Sequence, residues 1–250
     1  MFFKTNDLSI YYEKYGNNKN TILILPGWGH TRPTYYSLIK FLQKKYTVYI
    51  IDYPGFGYSN IPNNDLTIYD YSSMIYNFII SMNIDPIIIA HSFGGRIVSI
   101  LCSKYNLKVK KLILFDVAGI KHFNLKVFLK QKLYKLLKRL IYLLPKKKKY
   151  IYHKKLLKLF SSTDYQSIPS SMKKTFRNII NEDLRNHYKQ INCDTLIIWG
   201  EKDLDTPLKD AYYLRKIIKK SELIIYQDSY HFSYLEKPIL TNTIIDKFLN

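Results

Sequence analysis

The 250-residue chain is poor in cysteine, glycine, proline and acidic residues. Its two cysteines, Cys102 and Cys193, make neither a disulfide framework nor a metal-ligand spacing. That excludes a secreted disulfide scaffold and a zinc module, and a reducing cytoplasm is expected. Nine glycines and nine prolines exclude collagen-like and low-complexity chains. No apolar run nears the roughly 18 residues that a membrane-spanning helix needs. The opening MFFKTNDLSIYY has no basic stretch followed by an apolar block, so no signal peptide is expected. Asp+Glu number 19 against 39 Lys+Arg, which leaves a net charge of +20. The deficit of acids is local. Lys121 to Gln190 holds 19 Lys+Arg and 3 Asp+Glu, a net +16, so a composition bias spread over the whole chain does not explain it. With 47% hydrophobic residues, the chain reads as a soluble globular protein able to bury one large α/β core.

What is present has a clear order. LSIYYEKYG alternates like an N-terminal strand. TILILPGWG, YTVYIIDYPGFGYS, PIIIAHSFGG, VKKLILFDVAG, DTLIIWGEKD and SELIIYQDSYH are short continuous apolar runs that end in polar or Gly-rich sequence. Such runs mark parallel strands buried on both faces. Helical periodicity lies between them at Thr34–Lys44, Thr67–Met82, Phe93–Tyr105 and Lys209–Ile218, and PILTNTIIDKFLN reads as a final helix. Strand and helix alternation predicts an α/β fold with a mostly parallel, doubly wound sheet, in which ligands bind beyond the carboxyl ends of the strands. The alternation breaks after the sixth strand. Residues 119–190 carry helical patterns, Phe123 to Leu144 above all, together with PKKKK and a Ser-rich turn. The expected organisation is therefore a core of residues 1–118 and 191–250 with an all-helical insertion at 119–190.

Ser92 ends one of these strands and opens a helix. A nucleophile at such a turn needs small neighbours two positions away on each side, because the backbone is strained. Ala90 and Gly94 meet that need, and Gly95 lets the helix pack close. The alternative is a serine that only caps the helix. A nucleophilic serine needs a base, and the base an orienting acid. Asp203 follows the strand DTLIIWG, and His231 follows the last strand 28 residues later. Asp205 and Asp116 are the competing acids. His30, His91, His122, His153 and His187 lack the position after the last strand, and His91 is expected to point away from Ser92. The oxyanion of an acyl transfer would be bound by two backbone N–H groups, those of Phe93 and of Trp28 in LPGWGH.

In that order LPGWGH, DYPGFGYS, AHSFGG, WGEKDLDTP and DSYHFSYLEKP resemble the α/β-hydrolase fold family over Leu25–Pro238. The resemblance implies an α/β-hydrolase fold with a helical cap (lid) and a Ser92-Asp203-His231 triad that needs no metal or cofactor. Pro26, Ala90, Asp228 and Tyr230 depart from common family residues. A serine rather than an aspartate as nucleophile argues against dehalogenase and epoxide hydrolase chemistry. The implied activity is hydrolysis of a small or medium carboxylic ester or thioester. The alternatives are C–C bond hydrolysis of a diketone-like acid and a catalytically silent binding protein.

The basic insertion carries one further expectation. Phe128, Leu129, Leu133, Leu136, Leu137, Leu140 and Leu144 form a stripe flanked by Lys126, Lys130, Lys135, Lys138 and Arg139. The preferred reading packs the stripe on the core and leaves the lysines solvated. Steering of an anionic small-molecule substrate and peripheral contact with an anionic membrane are the alternatives. No nucleic-acid motif accompanies the charge.

Overall fold

A computed structural model describes the protein at all residues but 6–7, 123–124, 144, 146–147, 153–154 and 157–167, and leaves out the side chains of 125–128, 130 and 131. Among the described residues eight strands form one sheet: β1 (Phe2–Thr5), β2 (Leu8–Tyr15), β3 (Thr21–Leu25), β4 (Thr47–Ile51), β5 (Ile87–His91), β6 (Lys111–Phe115), β7 (Asp194–Gly200) and β8 (Ser221–Tyr226). Their order is β1-β2-β4-β3-β5-β6-β7-β8. From β4 to β8 all neighbours are parallel, and β1 and β2 add an antiparallel edge. β1 is a strand the sequence pattern does not announce, since its four residues bury only Thr5 fully.

The continuous apolar runs have a simple cause. Along β5, Ile88 and Ala90 face one core cluster while Ile87 and Ile89 face the other. On the first face, α2 (Ile68–Ser81), α3 (Phe93–Ser103) and α7 (Lys209–Ile217) contribute Phe78, Ile97 and Leu214. On the second, α1 (Tyr36–Leu42) and α9 (Pro238–Leu249) contribute Leu38, Leu42 and Ile245. With helices on both sides, each strand residue is buried whichever way it points. α2 starts where its sequence says it should: Thr67 and Asp70 form a reciprocal capping box.

The chain divides into two compact units, Met1–Ile120 with Asn178–Asn250, and Lys121–Arg177. The insertion is thus shorter than the expected 119–190. Its carboxyl-side residues belong to the sheet unit because they are tied to α3 and to the end of β6. Arg96 donates to the carbonyls of Ile179 (2.9 Å) and Glu182 (3.1 Å). Tyr188 Oη donates to the Ala118 carbonyl at 2.6 Å, and a Cβ on Gly119 would come within 2.7 Å of the Tyr188 ring. α5 (Lys173–Asn181) and α6 (Arg185–Tyr188) run through this region.

In the second unit the principal helix is α4 (Leu125–Tyr142). The expected burial of its leucine stripe does not hold. Leu129, Leu133, Leu136 and Leu140 are exposed, and the half-buried face is Tyr134, Leu137 and Ile141. The side chain of Phe128, Leu144 and most of the Ser-rich turn lie outside the described residues.

Candidate active site

β5 runs straight into α3, and Ser92 is the joint. Its φ of 47° and ψ of −107° are rare for a residue with a side chain. Ser92 is half-buried between a fully buried strand and a fully buried helix start. The turn is possible because its neighbours are small. A Cβ on Gly94 would lie 2.1 Å from the Leu25 carbonyl oxygen, and one on Gly95 would lie 2.4 Å from the Val117 Cβ. The first N–H groups of α3 have no acceptors inside the helix, and that of Gly95 donates to the Ser92 carbonyl at 3.1 Å.

The loops after β7 and β8 bring Asp203 and His231 together. His231 Nδ1 is 2.8 Å from Asp203 Oδ2. The other carboxylate oxygen accepts the N–H groups of Asp205 (2.8 Å) and Thr206 (2.9 Å), and Thr206 Oγ1 is 2.5 Å from Oδ2. Burial acts to raise the Asp203 carboxyl, but the hydrogen bond and charge of His231, with the Thr206 hydroxyl and N–H, hold it below its ordinary value. Burial likewise acts to lower the His231 imidazole. The bond to Asp203 and the charges of Asp203, Asp116 and Asp205 outweigh it and raise the imidazole above its ordinary value.

Neither competing acid is the one bonded to the His231 ring. Asp205 meets Asp203 through its backbone N–H. The Asp116 carboxyl accepts from the Gly200 N–H at 2.7 Å and from Ser233 Oγ at 2.5 Å. Burial raises it to about 7, against the lowering effect of those two bonds. Asp116 also has a left-handed backbone (φ 46°). It joins the start of the Asp203 loop to α8 (Ser233–Glu236), which follows His231. Asp228, a charge close to the base in sequence, is exposed and paired with Lys202 Nζ at 2.6 Å.

His91 is the residue that sequence reasoning set aside too soon. It points away from Ser92, as alternation along a strand requires, but the side it points to is occupied. Its Nδ1 is 3.0 Å from Tyr35 Oη, and Tyr35 Oη accepts the Gly27 N–H at 2.9 Å. Its Nε2 is 2.9 Å from the His231 carbonyl oxygen. A neutral His91 protonated on Nε2 completes the chain: Tyr35 donates to Nδ1 and Nε2 donates to His231. Burial, with the charges of His231 and His30, keeps His91 well below its ordinary pKa and therefore neutral, although its bond to the His231 carbonyl acts to raise it. A buried tyrosine and a buried histidine thus span from the LPGWGH loop to the His231 loop. A histidine directly before the serine was the available signal. Which strand face it occupied, and which carbonyl waited there, needed the fold.

Trp28 and Phe93, whose N–H groups are the expected oxyanion donors, pack ring to edge at 5.2 Å. Phe56 and Tyr71 close on Trp28 as well. Gly29, at φ 76°, turns the loop in a conformation that favours glycine. Asp203, Asp205 and His231 also offer atoms within 4.8 Å of one another that could hold a cation. The Asp203 oxygens are already filled by one imidazole, one hydroxyl and two N–H groups, which is the bonding of an orienting acid. A groove of about 790 Å³ opens at the amino ends of β6 to β8, lined by Lys111, Arg215, Lys219 and Lys220 among others. It is at the opposite end of the strands from Ser92.

Comparison with known proteins identifies the family of the fold. The chain is 27% identical over 258 residues to the monoacylglycerol lipase ABHD6 of Mus musculus, covering 93% of this chain and 76% of that protein. It is also 27% identical over 254 residues to the pimeloyl-[acyl-carrier protein] methyl ester esterase of Wigglesworthia glossinidia brevipalpis, covering 94% and 95%. The structure superposes with a TM-score of 0.78, at 19% identity, on MGS-M2, an alpha/beta hydrolase enzyme from a deep-sea metagenome library, covering 100% of this chain and 97% of that one. The sequence model of the alpha/beta hydrolase fold matches residues 20–149 and 129–238. With a sheet in this order and a serine at the β5–α3 joint, the chain belongs to the alpha/beta hydrolase fold family.

Proposed function

We propose that this enzyme is a serine hydrolase that cleaves a small or medium carboxylic ester or thioester through an acyl-enzyme on Ser92. The observation that carries the proposal is the 2.8 Å bond between His231 Nδ1 and Asp203 Oδ2, in a chain whose Ser92 is held in a strained strand-to-helix turn. Asp203 fixes the imidazole as the Nδ1–H tautomer, so Nε2 is free to take the Ser92 proton. Ser92 Oγ attacks the acyl carbon, and the N–H groups of Trp28 and Phe93 bind the oxyanion. His231 then protonates the leaving group, and water repeats the sequence on the acyl-enzyme. No step calls for a metal or cofactor.

The names of both sequence relatives describe ester hydrolysis, which favours an ester over a C–C bond for this chain. The bonded acid and base argue against a silent binding protein. The helical unit, residues 121–177, is assigned the role of cap, and its charge suits an anionic ester. Cys102 and Cys193 as free thiols suit the cytoplasm.

The test is labelling with a fluorophosphonate, followed by an ester panel that varies acyl length and charge. Wild type should label and Ser92→Ala should not, with kcat lowered by roughly 10⁴-fold or more. An unlabelled wild type, or a Ser92→Ala enzyme at full activity, would sink the reading.

A further inference from the structure

Helix α4 has two apolar faces, and only one is covered. Leu129, Leu133, Leu136, Leu140 and, just past the helix end, Leu143 are 54%, 49%, 55%, 54% and 83% exposed. They recur in steps of four and three residues, and at about 100° per residue they fall in one stripe roughly 80° wide. Lys132, Lys135 and Arg139 are exposed along one edge of that stripe. Tyr142, Tyr150 and Tyr152 are exposed nearby in sequence. A contiguous leucine row in water marks an interaction site on a folded protein.

The charge says what kind of surface covers it. From Lys121 to Thr163 the sequence has 14 Lys+Arg and no Asp or Glu. The whole helical unit, residues 121–177, has 17 Lys+Arg against one acid, Asp164, so its net charge favours an anionic partner. A second copy would bring like charges together. Nucleic acid would use the cations but has no use for a leucine row. An interface that is apolar below and anionic above uses both, and tyrosines are at home at that depth. No helix among the described residues is long and apolar enough to cross a membrane, so the attachment is lateral.

We propose that the α4 face docks on an anionic lipid surface, with the leucine row in the acyl boundary and Lys132, Lys135 and Arg139 against headgroup phosphates. This does not depend on the hydrolase reading.

The experiment is flotation of the full chain with vesicles of phosphatidylcholine alone, or of phosphatidylcholine with phosphatidylglycerol. Wild type should float with the anionic vesicles and not with the neutral ones, and binding should weaken as salt rises. Leu133→Gln with Leu136→Gln should lower the bound fraction at least about tenfold, as should Lys132→Gln with Lys135→Gln and Arg139→Gln. If the double leucine variant loses its circular dichroism spectrum, Leu140→Gln alone should give a smaller loss of binding. Three outcomes would overturn the proposal. Wild type left in the unbound fraction with anionic vesicles would mean no lipid docking. A folded leucine variant that floats like wild type would mean charge adhesion without insertion. A wild-type dimer in sedimentation velocity that Leu133→Gln breaks would mean that a second copy covers the row.

Discussion

At the residue scale, two opposed influences meet on the same side chains. Burial pushes His231 toward the neutral form and Asp203 pulls it toward the charged one, and Asp203 wins. In its proposed role as base, His231 must be neutral, so kcat/KM should fall as pH drops through its pKa. Asp203→Asn removes the charge that raises that pKa. The acid limb should therefore move to lower pH, while kcat falls by roughly 10⁴-fold because the amide no longer enforces the tautomer. A pH profile with a chromogenic ester measures both, and an unmoved limb would point to another group. Stability carries a second pair of opposed slopes. His91 is neutral in the fold, but the unfolded chain takes up its proton below about pH 6.5, so this term is lost as pH falls, at about 1.4 kcal/mol per pH unit. Asp116 titrates at about 7 in the fold and near 3.9 unfolded, so its contribution is lost as pH rises between those values. Below about pH 6.5, where His91 stays neutral in the fold and Asp116 is protonated in the fold but not in the unfolded chain, the two offset each other. In Asp116→Asn only the His91 slope is left, and urea denaturation across that range should show a steeper acid loss than wild type, by about 1.4 kcal/mol per unit. Equal slopes would contradict the shared compensation. The Asp203–His231 pair and the Ser92 turn were legible in the sequence because both lie where apolar strand runs end in polar residues. His91 and Thr206 were not, because each acts through a neighbour that no spacing reveals.

At the element scale, the β5–α3 joint depends on absence of side chain more than on attraction. Gly94 packs against the Leu25 carbonyl of the neighbouring strand, which cannot give way without breaking its own ladder. Gly94→Ala should lower stability by about 2 kcal/mol or more and reduce activity with it, read by urea denaturation and ester turnover. A loss under about 0.5 kcal/mol would mean that the joint is softer than it looks. The strands of the sheet interior were legible because burial on both faces removes alternation and leaves bare apolar runs. β1 was not, since an edge strand of four residues buries too little to leave a pattern. The boundary of the insertion was missed for a related reason. A helical pattern between 173 and 190 looks the same whichever unit it packs on, and only the Arg96 and Tyr188 bonds decide it.

At the scale of the whole molecule, the net charge of +20 is concentrated on the helical unit and its immediate surroundings. A field of that sign gathers anions over a distance of about 10 Å at 0.1 M salt. If the cap steers substrate, kcat/KM for an anionic ester should fall several-fold between 0.05 and 0.5 M salt, while a neutral ester of the same length should change little. Parallel salt responses would remove the steering role. The charge itself was plain in the sequence. Which side of α4 would be covered was not, because the helix offers apolar residues on two faces and periodicity ranks neither.

The turn at Ser92 has one more consequence. Its backbone rests where a side chain is a liability and glycine is at ease, so the protein holds about 1–3 kcal/mol of conformational energy at this one position. Ser92→Gly should release part of it, giving an inert protein that melts at a higher temperature than the active one. Selection for durability alone would favour glycine here, and the proposed role of Ser92 as nucleophile gives a reason for keeping a hydroxyl in so strained a place.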